Sequence, residues 1–427
     1  MNIKKVIYLC CAVALATFVA TGTFTYYYVT NKTSGNEVRL SDEDYGSIKQ
    51  FLDVGDLQKL INEYYFKDID AQALVNGALK GMVQALNDPY SVYYSEAEYK
   101  AYNEKNDGTF VGIGATVSKD EETGYLKVVN IYTGAPAETA GLKVSDLITK
   151  IDNVDVKNMG IDELQDLLKG PVGSSVALTI LPGGADTPSV INVVRAQLQN
   201  QYVFYTMIGD TSFAHISITE FHGDVSKTFE DAMKFVKDEE AQGVILDLRN
   251  NLGGSVKECV EIADMILPNG LICYTLDKEG KRDEYNADDQ YNNVPIIVLV
   301  NGDTASASEI LAGAIQDEGR GKLVGTQTYG KGVVQSILDM PYSGGGVKLS
   351  SALYYTPKGR NINGIGLTPD AVVELPEDVK AGSAALTIDT DTQLKMAIDM
   401  LNQQLNLPPA SSEPADSAEP SEEQPAE

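Results

Sequence analysis

The sequence predicts a multidomain protein in which strands alternate with helices. Three observations lead there. The chain has 427 residues, too many for one small core and enough for two or three domains. Two short β-branched runs, GVILDL at Gly243 to Leu248 and VPIIVLV at Val294 to Val300, read as buried strands. Each leads through a tight turn into a segment with small and apolar residues at helical spacing.

From the N-terminus, Lys4 and Lys5 precede an uncharged run from Val6 to Val29. About 20 apolar residues span a bilayer, and Tyr26, Tyr27 and Tyr28 stand at the far end, where interfacial aromatics sit. The segment predicts a signal anchor with its lysines cytoplasmic. A signal peptide cut after Ala16 or near Thr21 competes with it, although no clean A-x-A site follows. Either reading puts the body outside the cytoplasm, at the cell membrane as a single-pass protein or secreted. A polar linker follows, and residues 1–35 form this first region.

Asp44 to Leu60 and Ala71 to Leu86 read as helices, the second with Leu74, Ala78, Met82 and Leu86 on one face and Asn87-Asp88-Pro89 as its stop. Thr109 to Pro182 then breaks into short strands (Ala115 to Val117, Leu126 to Ile131, Val176 to Leu181) around one helix, Ile161 to Leu168. A strand over Ser189 to Arg195 leaves this region. Strands at Tyr202 to Met207 and Phe213 to Ile218 open the next, with a helix over Val225 to Val236. His215 falls on an alternating strand pattern and His222 in a loop; each reads as structural. GVILDL ends in Arg249-Asn250-Asn251-Leu252-Gly253-Gly254, and Ser255 to Ile266 reads as a helix. Glycines between strand and helix let backbone N–H groups point into a site, or simply make a turn. After VPIIVLV, Asn301-Gly302-Asp303 turns into a helix over Ser306 to Gln316, and Leu323 to Gly325 is another strand. Val347 to Tyr355 reads as a strand and Asp391 to Leu405 as a helix. From Pro408 to Glu427 the chain is mostly Pro, Ser, Ala, Glu and Asp without a basic residue, a composition that cannot build a core.

Composition excludes some functions. A net charge of −28, partly carried by the tail, argues against nonspecific nucleic-acid binding. Cys259 and Cys273 stand alone in the body, either as one bridge or as small buried hydrophobes. Neither HExxH nor a Cys/His cluster is present.

The chemistry concentrates in Asn301 to Gln335. Ser306 stands after a buried strand and at a helix start, where free N–H groups and the positive dipole end favour a developing oxyanion. A hydroxyl nucleophile needs a base. Lys331, in Tyr329-Gly330-Lys331-Gly332, can serve if burial lowers its pKa, and Gln335 lies four positions on to orient the amine. The plainer alternative is a helix-capping serine and a surface lysine.

TASASEILAGAIQDEGRGKLVG and TYGKGVVQ resemble the carboxyl-terminal processing peptidases, also called tail-specific proteases. The resemblance runs from about Leu60 to Leu401. It implies Ser306 as nucleophile, Lys331 as general base and Gln335 as its positioning partner, at the family's offsets of 25 and 4 residues. Thr304 and Tyr329 stand where many members have serine and phenylalanine. DLRNNLGG is similar to the family's DLRxNxGG and implies Gly254 as one oxyanion donor beside the N–H of Ala307. GAPAETAGLKVSDLITKIDNVDV resembles a PDZ domain, whose carboxylate-binding loop would be Gly112, Ile113 and Gly114. Lys169 replaces the arginine of the family's RGP turn and loses its bidentate fork, so a peptide-sensing role and a solvated surface lysine both stand. GALKGMVQALNDPYSVYYSEAEY looks like the family's helical segment before the PDZ domain, a candidate dimerisation surface.

The resemblance thus implies a multidomain α/β fold: a crotonase-like mixed α/β protease core with a PDZ domain and N-terminal helices. After the anchor come a helical region (36–106), the PDZ domain (107–195), the peptidase core (196–385), a C-terminal helix (386–406) and a disordered acidic tail (407–427). The expected function is a serine endopeptidase acting on protein or peptide substrates with accessible C-termini, with no metal or organic cofactor. Its rival is a noncatalytic PDZ scaffold, which would not need the Ser306–Lys331–Gln335 set. A penicillin-interactive S-x-x-K hydrolase fails because Glu309 stands third after Ser306.

Overall fold

The computed structural model describes residue 49, residues 51–380 except 133, 184 and 186, and residues 386–407. The apolar run Val6 to Val29 and the acidic tail past Leu407 lie outside the described residues. Among the described residues, no helix is long and apolar enough to cross a membrane.

The chain divides into two compact units, 1–78 and 79–427. In the first, a helix runs over Leu52–Tyr64, with Leu52, Leu57 and Leu60 exposed. It ends four residues beyond the expected Leu60. A second helix, Ala71–Gln84, leads across the boundary into the second unit.

A six-stranded sheet forms the centre of the second unit. Its order is Val203–Met207, Phe213–Ile218, Gly243–Asp247, Ile296–Val300, Gly321–Gly325, Ala371–Val372. All pairings are parallel except that of the first two strands. Every residue of Gly243–Asp247 and of Ile296–Val300 is buried, as a parallel sheet covered on both faces requires. Side chains alternate between the faces. Ala214, Ile216, Val244, Leu246, Val298 and Val300 join a core with the helices Val225–Asp238, Val256–Ile266 and Ala307–Asp317. Ile245, Ile297, Leu299 and Val324 face the other way, onto Ala397, Ile398 and Leu401 of the helix Thr392–Leu405. Truncating Leu246 to alanine would cost about 2–5 kcal/mol in lost burial and cavity.

A second sheet centres on the expected strand at Val347 to Tyr355, here Gly345–Tyr355, and adds strands that sequence reading passed over. Gly345–Tyr355 pairs with Val92–Tyr94, Gly270–Asp277 and Val333–Met340, and Gly270–Asp277 also pairs with Arg282–Ala287. The strand Val92–Tyr94 corrects the expectation of a helical segment through Tyr99. The helix stops at Gln84, and a new helix begins only at Glu96, capped by Ser95, whose N–H donates to Glu98 Oε2 at 2.8 Å. Between them Val92, Tyr93 and Tyr94 favour extended backbone, and Tyr93 is buried.

A third sheet runs Ala115–Lys119, Leu126–Ile131, Leu147–Ile151, Ser175–Leu181, Ser189–Val194, with Val154–Asp155 beside Leu147–Ile151. Its apolar residues share a separate core with Leu164 and Leu168 of the helix Ile161–Leu168. A two-stranded ladder, Thr109–Gly112 with Ala196–Gln199, closes the entry and exit of this module. Cys259 and Cys273 are free and buried.

Candidate active site

Two parallel strands end side by side, Gly243–Asp247 and Ile296–Val300, and the loops that leave them build the site. Side chains stitch these loops together. Thr304 Oγ1 donates to Leu248 O (2.8 Å), Asn301 Oδ1 accepts Asn250 N (2.9 Å), and Ser308 Oγ donates to Asn251 O (3.0 Å). The fully buried Asn251 donates to Ile218 O at 2.7 Å and accepts Gly253 N at 2.9 Å. Sequence reading gave Asn251 no role, although it is the second asparagine of DLRNNLGG.

Glycine is required where the loops meet. A Cβ on Gly253 (φ +98°) would lie 2.9 Å from both Ala307 N and Ser306 Cβ, and one on Gly254 (φ +147°) 2.3 Å from Phe221 O. No protein acceptor among the described residues takes the N–H of Gly254 or of Ala307. Ser306 precedes the helix Ala307–Asp317 at φ +57°, ψ −119°, sparsely populated for a residue with a side chain. Such strain persists only where surroundings impose it and is common at functional sites. Here Ser306 N donates to Glu309 Oε2 (3.0 Å) and Ala305 N to Asn251 O (2.9 Å), which hold the turn.

Lys331 lines the same cleft, of about 520 Å³, with Ser306, Gly254 and Gln335. Its Nζ donates to Gln335 Oε1 at 2.9 Å and lies 5.0 Å from the centre of the Tyr90 ring. Burial pushes the lysine below its ordinary pKa and the nearby Lys348 cation adds to the fall, while Asp88 and Glu309 oppose it. Beside Gln335 the register shifts, because Val334 pairs with Ala352 and Gln335 with Ser350, which leaves Ser351 of Gly345–Tyr355 as the extra residue of a β-bulge. The structure therefore brings Ser306, Lys331, Gln335, Gly254 and Ala307 to one place.

Glu309 was missed. It is fully buried and accepts from Ser306 N, Lys331 N (2.9 Å), Gly330 N (2.8 Å) and Thr328 Oγ1 (2.5 Å). Its place at the third position after Ser306, typical of a capping glutamate, was the available signal. The two histidines differ. His215 meets Asp247 at 3.1 Å, as a structural strand histidine does. His222, expected as a loop residue, forms part of the cleft wall, with Nδ1 buried and unpartnered.

Among the described residues of the PDZ-like module, none lines this cleft. Gly112 ends the strand paired with Ala196–Gln199, Ile113 is buried with its carbonyl accepting Ala137 N (2.8 Å), and a Cβ on Gly114 would overlap that of Ala135. These residues lead into Ala115–Lys119, the edge strand of its sheet. Lys169 is exposed and pairs with Asp166 at 3.2 Å, three residues back on the helix. Arg195 instead is buried, donating to Leu167 O and Leu168 O (both 2.9 Å) and so fixing the C-terminal end of that helix.

Residues 212–373 match the model of peptidase family S41, residues 127–182 that of the PDZ domain, and residues 16–98 that of the activating protease CtpB N-terminal domain. A carboxy-terminal-processing protease of Bartonella bacilliformis is 36% identical over 81% of this chain and 80% of its own. The chain belongs to the carboxyl-terminal processing proteases of peptidase family S41. A second relative, the carboxyl-terminal-processing protease of a Picosynechococcus species, is 34% identical over 76% of this chain and 78% of its own. Among solved structures, the photosystem II D1 C-terminal processing protease is 29% identical with a TM-score of 0.45, covering 75% of this chain and 88% of that one. As a member of this family the chain is a serine-type protease with a mixed α/β fold and a PDZ domain.

Proposed function

We propose that this protein is an endopeptidase that cleaves protein substrates near their C-termini with a Ser306/Lys331/Gln335 site. The observation that carries the reading is the half-buried Lys331 amine, held by Gln335 in the cleft onto which strained Ser306 opens. Ser306 Oγ attacks the scissile carbonyl as neutral Lys331 accepts its proton. The tetrahedral oxyanion accepts from the N–H groups of Gly254 and Ala307, which have no other partner to give up. Collapse expels the amine, protonated by Lys331, and leaves an acyl-enzyme on Ser306. Lys331 then takes a proton from water, which attacks the ester and frees the enzyme. Gln335 occupies one amine hydrogen and directs the lysine lone pair.

The PDZ domain recruits substrate tails or regulates the enzyme. The edge strand Ala115–Lys119 can take an extended peptide as an added strand, with Gly112, Ile113 and Gly114 at its carboxylate end. The uncharged run Val6 to Val29 behind Lys4 and Lys5 supports a signal anchor with the catalytic body outside the cytoplasm. The exposed apolar residues of Leu52–Tyr64 are the candidate contact for a second copy.

The test is digestion of an unstructured protein by the chain from Asn36 onward, wild type beside Ser306→Ala, read by mass spectrometry. Cuts near C-termini that vanish in the variant support the reading. Cuts that persist overturn it, and no cuts in either sample, with a PDZ peptide ligand present, return the peptide-binding scaffold.

A further inference from the structure

Gln335 is gripped at both ends. Its Oε1 accepts Lys331 Nζ, and its Nε2 donates to the carbonyl oxygen of Tyr90, from a turn 245 positions earlier in the chain. A carbonyl oxygen only accepts. It therefore fixes which end of the side-chain amide is the NH2 and leaves the oxygen for Lys331. With the amide reversed, its NH2 would face the lysine N–H groups, donor against donor, and compete for the nitrogen lone pair that must accept the serine proton.

The turn that presents this carbonyl is itself tied down. Asp88 Oδ1 accepts Tyr90 N (3.1 Å) and Asp88 Oδ2 accepts Ser91 Oγ (2.5 Å). Ser91 Oγ in turn accepts the N–H of Ser350, directly opposite Gln335 in the neighbouring strand. The chain then continues as Val92–Tyr94 along that strand, so the sheet that carries Gln335 also sets the turn. The Tyr90 ring covers Lys331.

We propose that the Asp88–Ser91 turn is a positioning element for the catalytic base: its Tyr90 carbonyl selects the orientation of the Gln335 amide and so aims the Lys331 amine. This rests on the Ser306/Lys331/Gln335 reading. Asp88, Tyr90 and Ser91 act through Gln335 and do not touch the reacting atoms.

A mutant cycle on the full chain tests it, with kinetics taken on the alkaline plateau, where Lys331 is neutral in every variant and the Asp88 charge no longer changes its ionisation. Asp88→Ala should lower kcat about tenfold, a modest cost for a misplaced catalytic group, with KM changed by less than about twofold. In a Gln335→Ala background the same substitution should lower kcat by less than about twofold, because coupled residues are not additive. An unchanged kcat in Asp88→Ala, or equal losses in both backgrounds, overturns the inference while Ser306→Ala remains inactive. Cleavage by Ser306→Ala overturns the underlying reading and this inference with it. If Asp88→Ala lacks a cooperative melting transition, Ser91→Ala takes its place in the cycle with the same expected and contrary results.

Discussion

Glu309 Oε2 accepts the backbone N–H of Lys331 at 2.9 Å. The same oxygen accepts Ser306 N at 3.0 Å. One buried carboxylate therefore joins the turn of the candidate nucleophile to the loop of its base, across 25 residues of sequence. Burial pushes its pKa up, and the hydrogen bonds from Thr328, Gly330, Lys331 and Ser306 pull the other way.

Glu309→Ala should lower both stability and kcat. It strands three backbone N–H groups and one hydroxyl, at about 1–3 kcal/mol for each group left buried without a partner. Urea unfolding and kcat measured on the same variant check this. A variant with wild-type stability and kcat would show that the two loops hold their places without the carboxylate.

Lys331→Ala should abolish cleavage, by a factor of at least about 10³, and leave the fold intact. Removing an amine from a buried site relieves desolvation, so thermal melting should not fall. Full activity in this variant would rule out the lysine as base.

Activity should rise with pH as Lys331 loses its proton, at a pH below the ordinary lysine range, because burial and then Lys348 disfavour its charged form. Lys348 lines the cleft, its Nζ 5.8 and 5.6 Å from the ring centres of Tyr94 and Tyr102. Lys348→Met removes a like charge, so the Lys331 pKa should rise and the acidic limb of kcat/KM should move to higher pH. A limb that stays in place, or moves down, contradicts the assignment.

The legible parts of this molecule are those whose signal is local. Ile296–Val300 and Gly243–Asp247 are short β-branched runs, and the helix Ile161–Leu168 appears as the sequence predicts. Ser306, Lys331 and Gln335 were legible through a resemblance, and the structure places them around one cleft. Glu309 was hidden because a glutamate three residues after a helix start looks like a cap; only the return of Thr328 to Lys331 over it buries the carboxylate. Tyr90 was hidden for a different reason, since its contribution is a backbone carbonyl, which no side chain announces. The strand Arg282–Ala287 is rich in charged and polar residues, and its extended state is set by pairing with Gly270–Asp277, which pairs in turn with Gly345–Tyr355.

Arg249, the first residue after the strand segment GVILDL, ties the glycine loop to the C-terminal helix. It meets Asp247 at 2.6 Å and Asp391 at 2.9 Å, and all three side chains are about nine-tenths buried. Asp391 also caps that helix by accepting Gln393 N and Leu394 N. Asp391→Ala should cost about 3–5 kcal/mol, as breaking a buried pair does, and should also lower kcat through the loop that carries Gly254. Thermal melting and turnover of the variant check both effects. Unchanged stability would mean the pair is not a tie.

The same network should make the fold acid-sensitive. Burial alone would raise the Asp247 pKa, but hydrogen bonds from His215 and Arg249 and the Arg249 charge bring it down to about 2. A carboxylate depressed in the folded state adds stability above its unfolded pKa, about 3.9, and loses it as pH falls through the folded value. Unfolding free energy should therefore drop between about pH 5 and pH 2, and Asp247→Asn should flatten that slope. An identical slope in the variant contradicts the argument.

The most direct test of the central claim is labelling with a serine-directed fluorophosphonate, located by peptide mass spectrometry. A Ser306 nucleophile activated by Lys331 should give one phosphonyl adduct on the peptide that carries Ser306, formed faster as pH rises through the Lys331 limb, absent in Ser306→Ala and largely lost in Lys331→Ala. An adduct at another serine, or equal labelling rates with and without Lys331, would contradict a Ser306 nucleophile activated by Lys331.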